Sequence, residues 1–154
     1  MINQCIILCG GYGTRLKSIT KKTPKPLIRY YNKEFLAHVI DRLEHQGIEE
    51  VILLTYYKNQ QFKKFINKIN KNKLKKLKIK VVCEKDKLGT GGALINSIKF
   101  QNDSFFLLNG DTFFDINLRE FEKNSRIKDK LVSIAAISTL NKKKITRPNY
   151  LIKN

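Results

Sequence analysis

The sequence predicts an α/β fold in which a mostly parallel sheet carries helices on both faces. Short apolar runs alternate along the chain with segments whose apolar residues recur at helical spacing, which is the pattern of such a sheet. The first apolar run, residues 3–9, is nearly continuous rather than alternating, which indicates a strand buried on both faces. Glycine-containing loops follow several of these runs, at the edge where ligands bind in open sheets of this kind.

Five apolar runs are predicted to be strands, namely residues 3–9, 50–55, 77–83, 104–108 and 132–137. The first of them is expected to lie at the centre of the sheet. Apolar residues at helical spacing predict three helices, around residues 35–43, 62–69 and 94–98. Gly47 is expected to end the first helix, and a glycine loop at 89–92 is expected to precede the third. Asn117 has the pattern of a helix N-cap, with Glu120 as its capping-box partner.

Length and composition predict one globular domain. The 154 residues are 42% hydrophobic and 10% aromatic, which is enough apolar material to bury a core. Residues 1–140 are assigned to this domain, and the basic, weakly patterned tail 141–154 is expected to be poorly ordered. No apolar run approaches the roughly 18–20 residues of a membrane span, and the N-terminus lacks the pattern of a secretory signal. A cytoplasmic protein without a membrane partner is therefore expected.

The formal net charge of +18 has two interpretations, nucleic-acid binding or a solvated basic surface. A nucleic-acid binder concentrates basic residues on one face, often with aromatic side chains for stacking. Here lysine accounts for most of the excess and is spread along the chain, with one cluster between residues 71 and 80. A solvated surface without a nucleic-acid partner is preferred, and such a surface also attracts polyanionic nucleotides.

The cysteines and histidines carry no metal or disulfide pattern. Cys5, Cys9 and Cys83 lack the paired spacing of metal ligands and are odd in number, so they are interpreted as free core residues. His38 and His45 lie on a predicted helix and are interpreted as surface residues rather than ligands.

The loop after the first predicted strand has the composition of a phosphate site. Residues 8–16 read LCGGYGTRL. Glycines allow backbone N–H groups to approach phosphate oxygens and form a concave anion site, and Arg15 adds a planar fork for two oxygens. The pattern is not a dinucleotide fingerprint, because Leu16 stands where a third glycine is needed, and it lacks the Gly-Lys-Ser/Thr of a Walker A loop. Lys25 follows between two prolines, on a stiff backbone that restricts the position of its ammonium group.

The motifs taken together resemble the signature of the sugar-1-phosphate nucleotidyltransferases, also called NDP-sugar pyrophosphorylases. GGYGTRL and TPKPL are followed by Glu84 ahead of LGTGGA and then by LNGD, in family order over roughly residues 2–140. LGTGGA with LNGDTFFDI is most similar to guanylyltransferases that act on mannose- or heptose-1-phosphate. The resemblance implies a Rossmann-like, GT-A-like fold. It also implies transfer of a nucleoside monophosphate from a nucleoside triphosphate to a sugar 1-phosphate, for bacterial surface-polysaccharide synthesis.

The resemblance also assigns roles to individual residues. Arg15 would stabilise the departing pyrophosphate, Lys25 would face the α-phosphate or the sugar phosphate, and Asp111 would hold Mg²⁺, a hard cation suited to a carboxylate and phosphate oxygens. The implied nucleotide-binding set comprises Leu8, Gly10, Gly11, Gly13, Thr14, Arg15, Lys25, Glu84, Gly89, Thr90, Asn109 and Gly110.

Glu84 and Gly89 occupy the places where the family contacts the base. An ionised carboxylate only accepts hydrogen bonds, and guanine offers adjacent N1–H and N2 amino donors, whereas uracil or thymine offers one N–H between two carbonyl oxygens. This chemistry favours GTP. The alternatives are that Glu84 is a surface residue at a strand end, and that the chain is a uridylyl- or thymidylyltransferase.

The resemblance fades after about Ile137. The family continues for several dozen residues, with much of the sugar-binding surface and a second metal-binding aspartate, so we expect a truncated chain. Three hypotheses remain: a nucleotidyltransferase, a catalytically weak or inactive nucleotide-binding module of that family, and, ranked last, a nucleic-acid-binding protein. The identity of the sugar and the assembly into a homo-oligomer stay open.

Overall fold

The computed structural model describes residues 1–13, 20–71, 77–126 and 131–136. It divides the chain into two compact units. One unit is Ile2–Phe114, and the other consists of Met1 together with the residues from Asp115 onward. All of the sheet and all of the residues discussed below as a candidate site belong to the first unit.

The first unit contains six strands and three α-helices among its described residues. Its elements in chain order are β1 (Gln4–Leu8), a 3₁₀ turn (Lys25–Leu27), β2 (Arg29–Tyr30), β3 (Lys33–Glu34), α1 (Phe35–His45), β4 (Glu50–Thr55), α2 (Asn59–Lys71), β5 (Lys78–Cys83), α3 (Gly89–Asn96), a second 3₁₀ turn (Ile98–Phe100) and β6 (Phe106–Asn109). Helix α4 (Leu118–Arg126) belongs to the second unit.

Four of these strands form one parallel sheet with the order β5-β4-β1-β6. The central position predicted for the first strand is confirmed, because β1 pairs with β4 on one side and with β6 on the other. Parallel strands end at the same edge of a sheet, so Leu8, Thr55, Cys83 and Asn109 all lie at one edge. Strands β2 and β3 form a separate antiparallel hairpin.

The apolar runs of β1 and β4 are buried as predicted, whereas β5 is only partly buried and β6 leaves Leu107 43% exposed. Cys5, Ile6 and Ile7 of β1 are fully buried, as are the central residues of β4. Residues 50–55 form a strand with the predicted bounds, and the other strands of the sheet shift by one or two residues at their ends. Cys5 and Cys9 are free and buried, which confirms their interpretation as core residues, and Cys83 is half-buried.

Helices α1 and α2 follow their predicted amphipathic patterns, but the pattern predicted for the third helix is wrong, because Ile95 and Ile98 are 72% and 67% exposed. Helix α1 buries Leu36, Val39, Ile40 and Leu43, and it ends before Gly47, whose φ of 87° only glycine adopts readily. In the second unit, Asn117 Oδ1 accepts the backbone N–H groups of Arg119 and Glu120 at 3.1 Å each, which confirms the predicted N-cap. Within the described ranges, none of the helices has the length and apolarity needed to cross a bilayer.

Two further predictions about local structure are wrong. The segment 89–92 is the first turn of α3 rather than a loop, because the Glu84 carboxylate accepts the N–H of Leu88 and thereby supports the start of the helix. The run 132–137 is not a strand over its described part, 132–136. Val132 and Ile134 are 71% and 50% exposed there, and an apolar run without a paired neighbour does not form a strand. Ile137 and the tail 141–154 lie outside the described residues.

Gly110 packs against the end of β1, and we expect Gly110→Ala to destabilise the fold. A Cβ at this position would lie 2.7 Å from Cys9 Sγ and 3.1 Å from Leu8 O. Relieving such contacts requires backbone movement and costs about 1–3 kcal/mol of unfolding free energy, which urea denaturation measures. Gly91→Ala is the matched control, because a Cβ there meets no atom within 4 Å. In a helix it should raise stability by about 0.5–1 kcal/mol. Equal stability of the two variants would contradict this account.

Candidate functional site

A cleft of about 320 Å³ lies where the strands of the parallel sheet end. Its walls come from the loop after β1, the 3₁₀ turn, the ends of β4 and β5, the start of α3 and the end of β6. The lining residues are Leu8, Cys9, Gly10, Gly11, Gly13, Lys25, Pro26, Leu54, Tyr56, Glu84, Lys87, Gly89, Thr90, Ala93, Asn109 and Asp111. Segments up to about one hundred residues apart in sequence therefore meet in one cavity.

The glycine loop after β1 lies against its neighbours at two positions and is open at a third. A Cβ at Gly13, where φ is 65°, would lie 2.7 Å from Thr20 Cγ2, and a Cβ at Gly10 would lie 3.1 Å from Glu84 Oε1. At Gly11 an added Cβ would have no atom within 4 Å. The backbone at Gly11 is thus accessible from the cleft, as an anion site built from N–H groups requires.

Lys25 and Asp111 form an ion pair in the cleft. Lys25 follows Pro24 in the 3₁₀ turn, where Leu27 N donates to Pro24 O at 2.9 Å. Its ammonium Nζ lies 2.6 Å from Asp111 Oδ2. Burial raises the pKa of the Asp111 carboxyl. The hydrogen bond and the charge of Lys25, together with a hydrogen bond from Thr112, lower that pKa by more, so it lies below its ordinary value of 3.8. The Lys25 side chain and an ionised Asp111 carboxylate therefore face the same space.

Glu84 is buried rather than exposed. Its side chain is at the cleft wall and the residue is 7% exposed, so the alternative that Glu84 is a surface residue is wrong. Its Oε2 accepts the backbone N–H of Leu88 at 3.1 Å, and its own N–H donates to Thr55 O at 2.8 Å. A carboxylate has roughly four acceptor sites, so this contact leaves capacity to accept hydrogen bonds from a ligand.

The structure brings together most of the residues implied by the resemblance. Ten of them line the cleft: Leu8, Gly10, Gly11, Gly13, Lys25, Glu84, Gly89, Thr90, Asn109 and Asp111. Gly110 lies beneath it, against Cys9. Thr14 and Arg15 lie outside the described residues. The binding roles of all these residues stay predictions.

Six residues that line the cleft are absent from the predicted set, and two of them, Tyr56 and Lys87, carry long polar side chains; the other four are Cys9, Pro26, Leu54 and Ala93. Tyr56 directly follows β4, so the rule that parallel strands end at one edge would have placed it here. Its ring lies 5.8 Å from that of Tyr12 in the glycine loop. The pKa of Tyr56 is raised, first by a hydrogen bond with Tyr12 and by the charge of Tyr12. Burial and the negative charges of Asp86 and Glu84 raise it further. Lys87 Nζ lies 5.3 Å from the Tyr12 ring centroid, a cation–π contact that joins the two walls.

Comparison with known proteins identifies the family. A sequence profile described as nucleotidyl transferase matches residues 4–145. The chain belongs to this family. A D-glycero-alpha-D-manno-heptose 1-phosphate guanylyltransferase of Campylobacter jejuni is 47% identical over 121 residues, which are 79% of this chain and 53% of that protein. The corresponding enzyme of Aneurinibacillus thermoaerophilus is 36% identical over 127 residues, 81% of this chain and 54% of that protein.

Solved structures agree with the nucleotidyltransferase fold. HddC from Yersinia pseudotuberculosis, solved in complex with GMP-PN, superposes with a TM-score of 0.70 and 34% sequence identity, over 80% of this chain and 54% of HddC. The resemblance and the predicted α/β nucleotidyltransferase fold are thereby confirmed. The chain spans about half the length of the heptose-phosphate guanylyltransferases it matches.

The Lys25–Asp111 pair generates a prediction about titration. Lys25→Met removes the ammonium group that lowers the pKa of Asp111 against the effect of burial. We therefore expect the pKa of Asp111 to rise in this variant, which carboxyl ¹³C NMR would measure. Because the folded-state pKa lies below the ordinary one, the pair stabilises the fold at neutral pH and loses this contribution as the pH falls through the folded-state pKa. Lys33→Met is the control, since it breaks the ion pair with Asp41 instead. An Asp111 pKa that is unchanged by Lys25→Met would refute the pairing.

Proposed function

We propose that this chain binds GTP in the cleft and serves the transfer of GMP to a sugar 1-phosphate. The observation that carries the proposal is the buried Glu84 carboxylate in the cleft wall. The curated relatives named above are guanylyltransferases of a heptose 1-phosphate, which favours the same class of acceptor and a role in nucleotide-sugar synthesis for surface polysaccharides.

Guanine is the base whose donors complement Glu84. Its N1–H and N2 amino group point in nearly the same direction, and a carboxylate accepts both. Uracil and thymine would set a carbonyl oxygen against the carboxylate. Since Glu84 is 7% exposed, water screens this repulsion poorly. Burial therefore turns a difference in hydrogen-bonding pattern into a preference between nucleotides.

The phosphates of the nucleotide would lie between the glycine loop and Lys25. Gly11 leaves its backbone open to the cleft, and the Lys25 ammonium carries three donors, of which Asp111 uses one. The resemblance adds Arg15 to this set. Positive groups placed around the phosphates stabilise the charge that develops during transfer.

The reaction is a displacement at phosphorus. An oxygen of the sugar 1-phosphate attacks the α-phosphorus of GTP, a new P–O bond forms, and the bond between Pα and the bridging oxygen to Pβ breaks. Pyrophosphate leaves with the electron pair, and the product is a GDP-sugar. Lys25 is suited to stabilise the α-phosphate oxygens in this step, because positioning and charge neutralisation supply most of the catalysis in such reactions.

Asp111 is the residue proposed to hold Mg²⁺. No three acidic, histidine or cysteine side chains cluster within the described ranges, and Glu84 is assigned above to the base, so Asp111 is the cleft carboxylate left for the metal. This donor fits Mg²⁺, which binds to one or two carboxylates together with substrate phosphates and water. The ion would supply positive charge next to the phosphates. Asp111 is 36% exposed on its side chain, so its oxygens are reachable from the cleft.

A second candidate is nucleotide binding without transfer. The residues assigned above would contact the base, the phosphates and the metal ion, and none of them is assigned to the sugar. These residues could therefore bind a nucleotide whether or not transfer to a sugar 1-phosphate follows. A pyrophosphate-release assay with GTP and heptose or mannose 1-phosphate separates them. Release of pyrophosphate supports transfer, and tight binding of GTP without release supports the second candidate.

Glu84→Gln tests the assignment of the base. The amide places a donor against guanine's donors, but it pairs well with the N–H and carbonyl of uracil or thymine. We expect GTP to bind more weakly relative to UTP and dTTP by about 1–3 kcal/mol, measured by competition between the three nucleotides. Asp86→Asn is the control, because it removes a nearby negative charge from an exposed position. A ranking of nucleotides that survives Glu84→Gln would remove the support for guanine.

Asp111→Asn tests the assignment of the metal. We expect Mg²⁺ to increase the affinity of the wild-type chain for GTP, and this increase to be largely lost in the variant, because an amide oxygen binds Mg²⁺ less strongly than a carboxylate. Calorimetric titrations with and without Mg²⁺ measure the effect. Asp103→Asn, at an exposed site of the same unit, should behave like the wild type. An equal effect of Mg²⁺ on Asp111→Asn and wild type would exclude Asp111 as the ligand.

A further inference from the structure

The segment that leads into Lys25 is held by side chains that follow β4. Tyr57 OH donates a hydrogen bond to Thr20 O at 3.1 Å. Gln61 Nε2, in the first turn of α2, donates to Lys22 O at 2.9 Å. Three consecutive carbonyl groups, at residues 20–22, are bonded in this way once Lys58 is included.

Lys58 makes the central contacts of this set. Its Nζ donates to Lys21 O at 2.5 Å and also lies 3.4 Å from Lys22 O. The ammonium lies 5.3 Å from the centroid of the Tyr57 ring, a cation–π contact. Charged donors make stronger hydrogen bonds to carbonyl groups than neutral ones do. We refer to Tyr57, Lys58 and Gln61 as the 57–61 clamp.

The backbone of Lys58 is strained in the conformation that makes these contacts. Its φ is 54°, in the left-handed region where a side chain with a Cβ is disfavoured. Glycine or asparagine would adopt this conformation at lower cost, but neither carries an ammonium group. Strain of this kind persists where surrounding contacts over-determine the backbone. The contacts made by the Lys58 side chain are of that kind.

The clamp lies close to the two segments between which the phosphates are proposed to bind, the glycine loop and the turn that carries Lys25. The Tyr57 ring centroid is 5.3 Å from that of Tyr12 in the glycine loop. On the other side, only Thr23 and Pro24 separate the held carbonyl of Lys22 from Lys25. Pro24 has a φ of −55°, which its ring restricts. Fixing the carbonyls at 20–22 therefore limits the positions that Lys25 can take.

We propose that the 57–61 clamp is a positioning device for Lys25, which sets the ammonium group where it meets a nucleotide phosphate. This proposal rests on the proposed function. The three clamp residues are not among those that line the cleft, so they act through Lys25 and do not touch the nucleotide. Tyr57 also contacts Tyr12 of the glycine loop, whereas Lys58 holds the carbonyls of Lys21 and Lys22, so removal of the Lys58 ammonium group should matter only as far as Lys25 matters.

Hydrogen exchange tests the mechanical part without any nucleotide. The amides of Leu27 and Ile28 donate to Pro24 O and Lys25 O in the turn that carries Lys25. Lys58→Met keeps most of the apolar stem but removes the donors, so these two amides should exchange faster, while the amide of Ile52 in β4 should not change. Lys63→Met, at an exposed lysine of α2, is the control. Unchanged exchange at Leu27 and Ile28 in Lys58→Met would overturn the proposal.

A double-mutant cycle tests the functional part. Lys58→Met should lower the affinity for GTP with Mg²⁺ by about tenfold, and Lys58→Arg should retain most of the affinity. In a Lys25→Met background the same change should cost little, because the group that the clamp positions is gone. Losses that simply multiply would overturn the positioning role. A wild-type chain without affinity for GTP, or a Lys25→Met variant without loss, would instead refute the proposed function, while the exchange experiment still decides whether the clamp holds the turn.

Lys58→Gly keeps the test decisive if Lys58→Met folds poorly. Both variants lose the ammonium group, but glycine also relieves the left-handed strain at φ 54°, so the melting temperature of Lys58→Gly should exceed that of Lys58→Met. The same faster exchange and the same loss of affinity are nevertheless expected. A Lys58→Gly variant that matches the wild type in both measurements would contradict the proposal.

Discussion

Parallel pairing of β1 with a strand on each side is the constraint on which the rest of the structure depends. Leu8 lies opposite Leu54 of β4 and opposite Asn109 of β6. The ladder continues past the strand ends, because Cys9 N donates to Leu54 O at 2.8 Å and Gly110 N donates to Leu8 O at 2.9 Å. A slip of one residue would turn each side chain to the opposite face. The register thus places the glycine loop, Tyr56 and Asp111 at the same edge of the sheet, just after the ends of β1, β4 and β6.

The glycines around the cleft divide into two groups by what surrounds them. Gly13 and Gly110 are required by close neighbours, since an added Cβ would lie 2.7 Å from a side-chain atom at each. Gly11 and Gly89 have open space around the added position, although the φ of 70° at Gly89 still favours glycine. Glycines of the first group hold elements together. Those of the second group leave backbone accessible, which is the property that a phosphate or a base can use.

The two carboxylates of the cleft are stabilised by different partners, and this separates their chemistry. Glu84 is deeply buried and bonded to a backbone N–H, so it stays an acceptor with capacity for ligand donors. Asp111 is more exposed and paired with an ammonium group, so its oxygens suit a cation. The backbone N–H beside Glu84 and the ammonium group beside Asp111 thus distinguish an acceptor for a base from a ligand for a metal within one cavity of about 320 Å³.

The sequence by itself determined the parallel sheet with β1 at its centre, the amphipathic helix α1 and the membership of the family, because continuous apolar runs, helical periodicity and local motifs are all properties of neighbouring residues. It did not determine that the residues at 89–92 begin a helix, that the run at 132–136 lacks strand structure, or that Glu84 is buried. These three features depend on residues distant in sequence. An apolar run, for example, forms a strand only where a neighbouring strand pairs with it. The 57–61 clamp is of the same kind, because hydrogen bonds from Tyr57, Lys58 and Gln61 cross about 36–39 positions of the chain to reach their carbonyl groups. Only the tertiary structure decided those contacts, since the packing of β4 beside β1 is what brings the two segments within hydrogen-bonding distance.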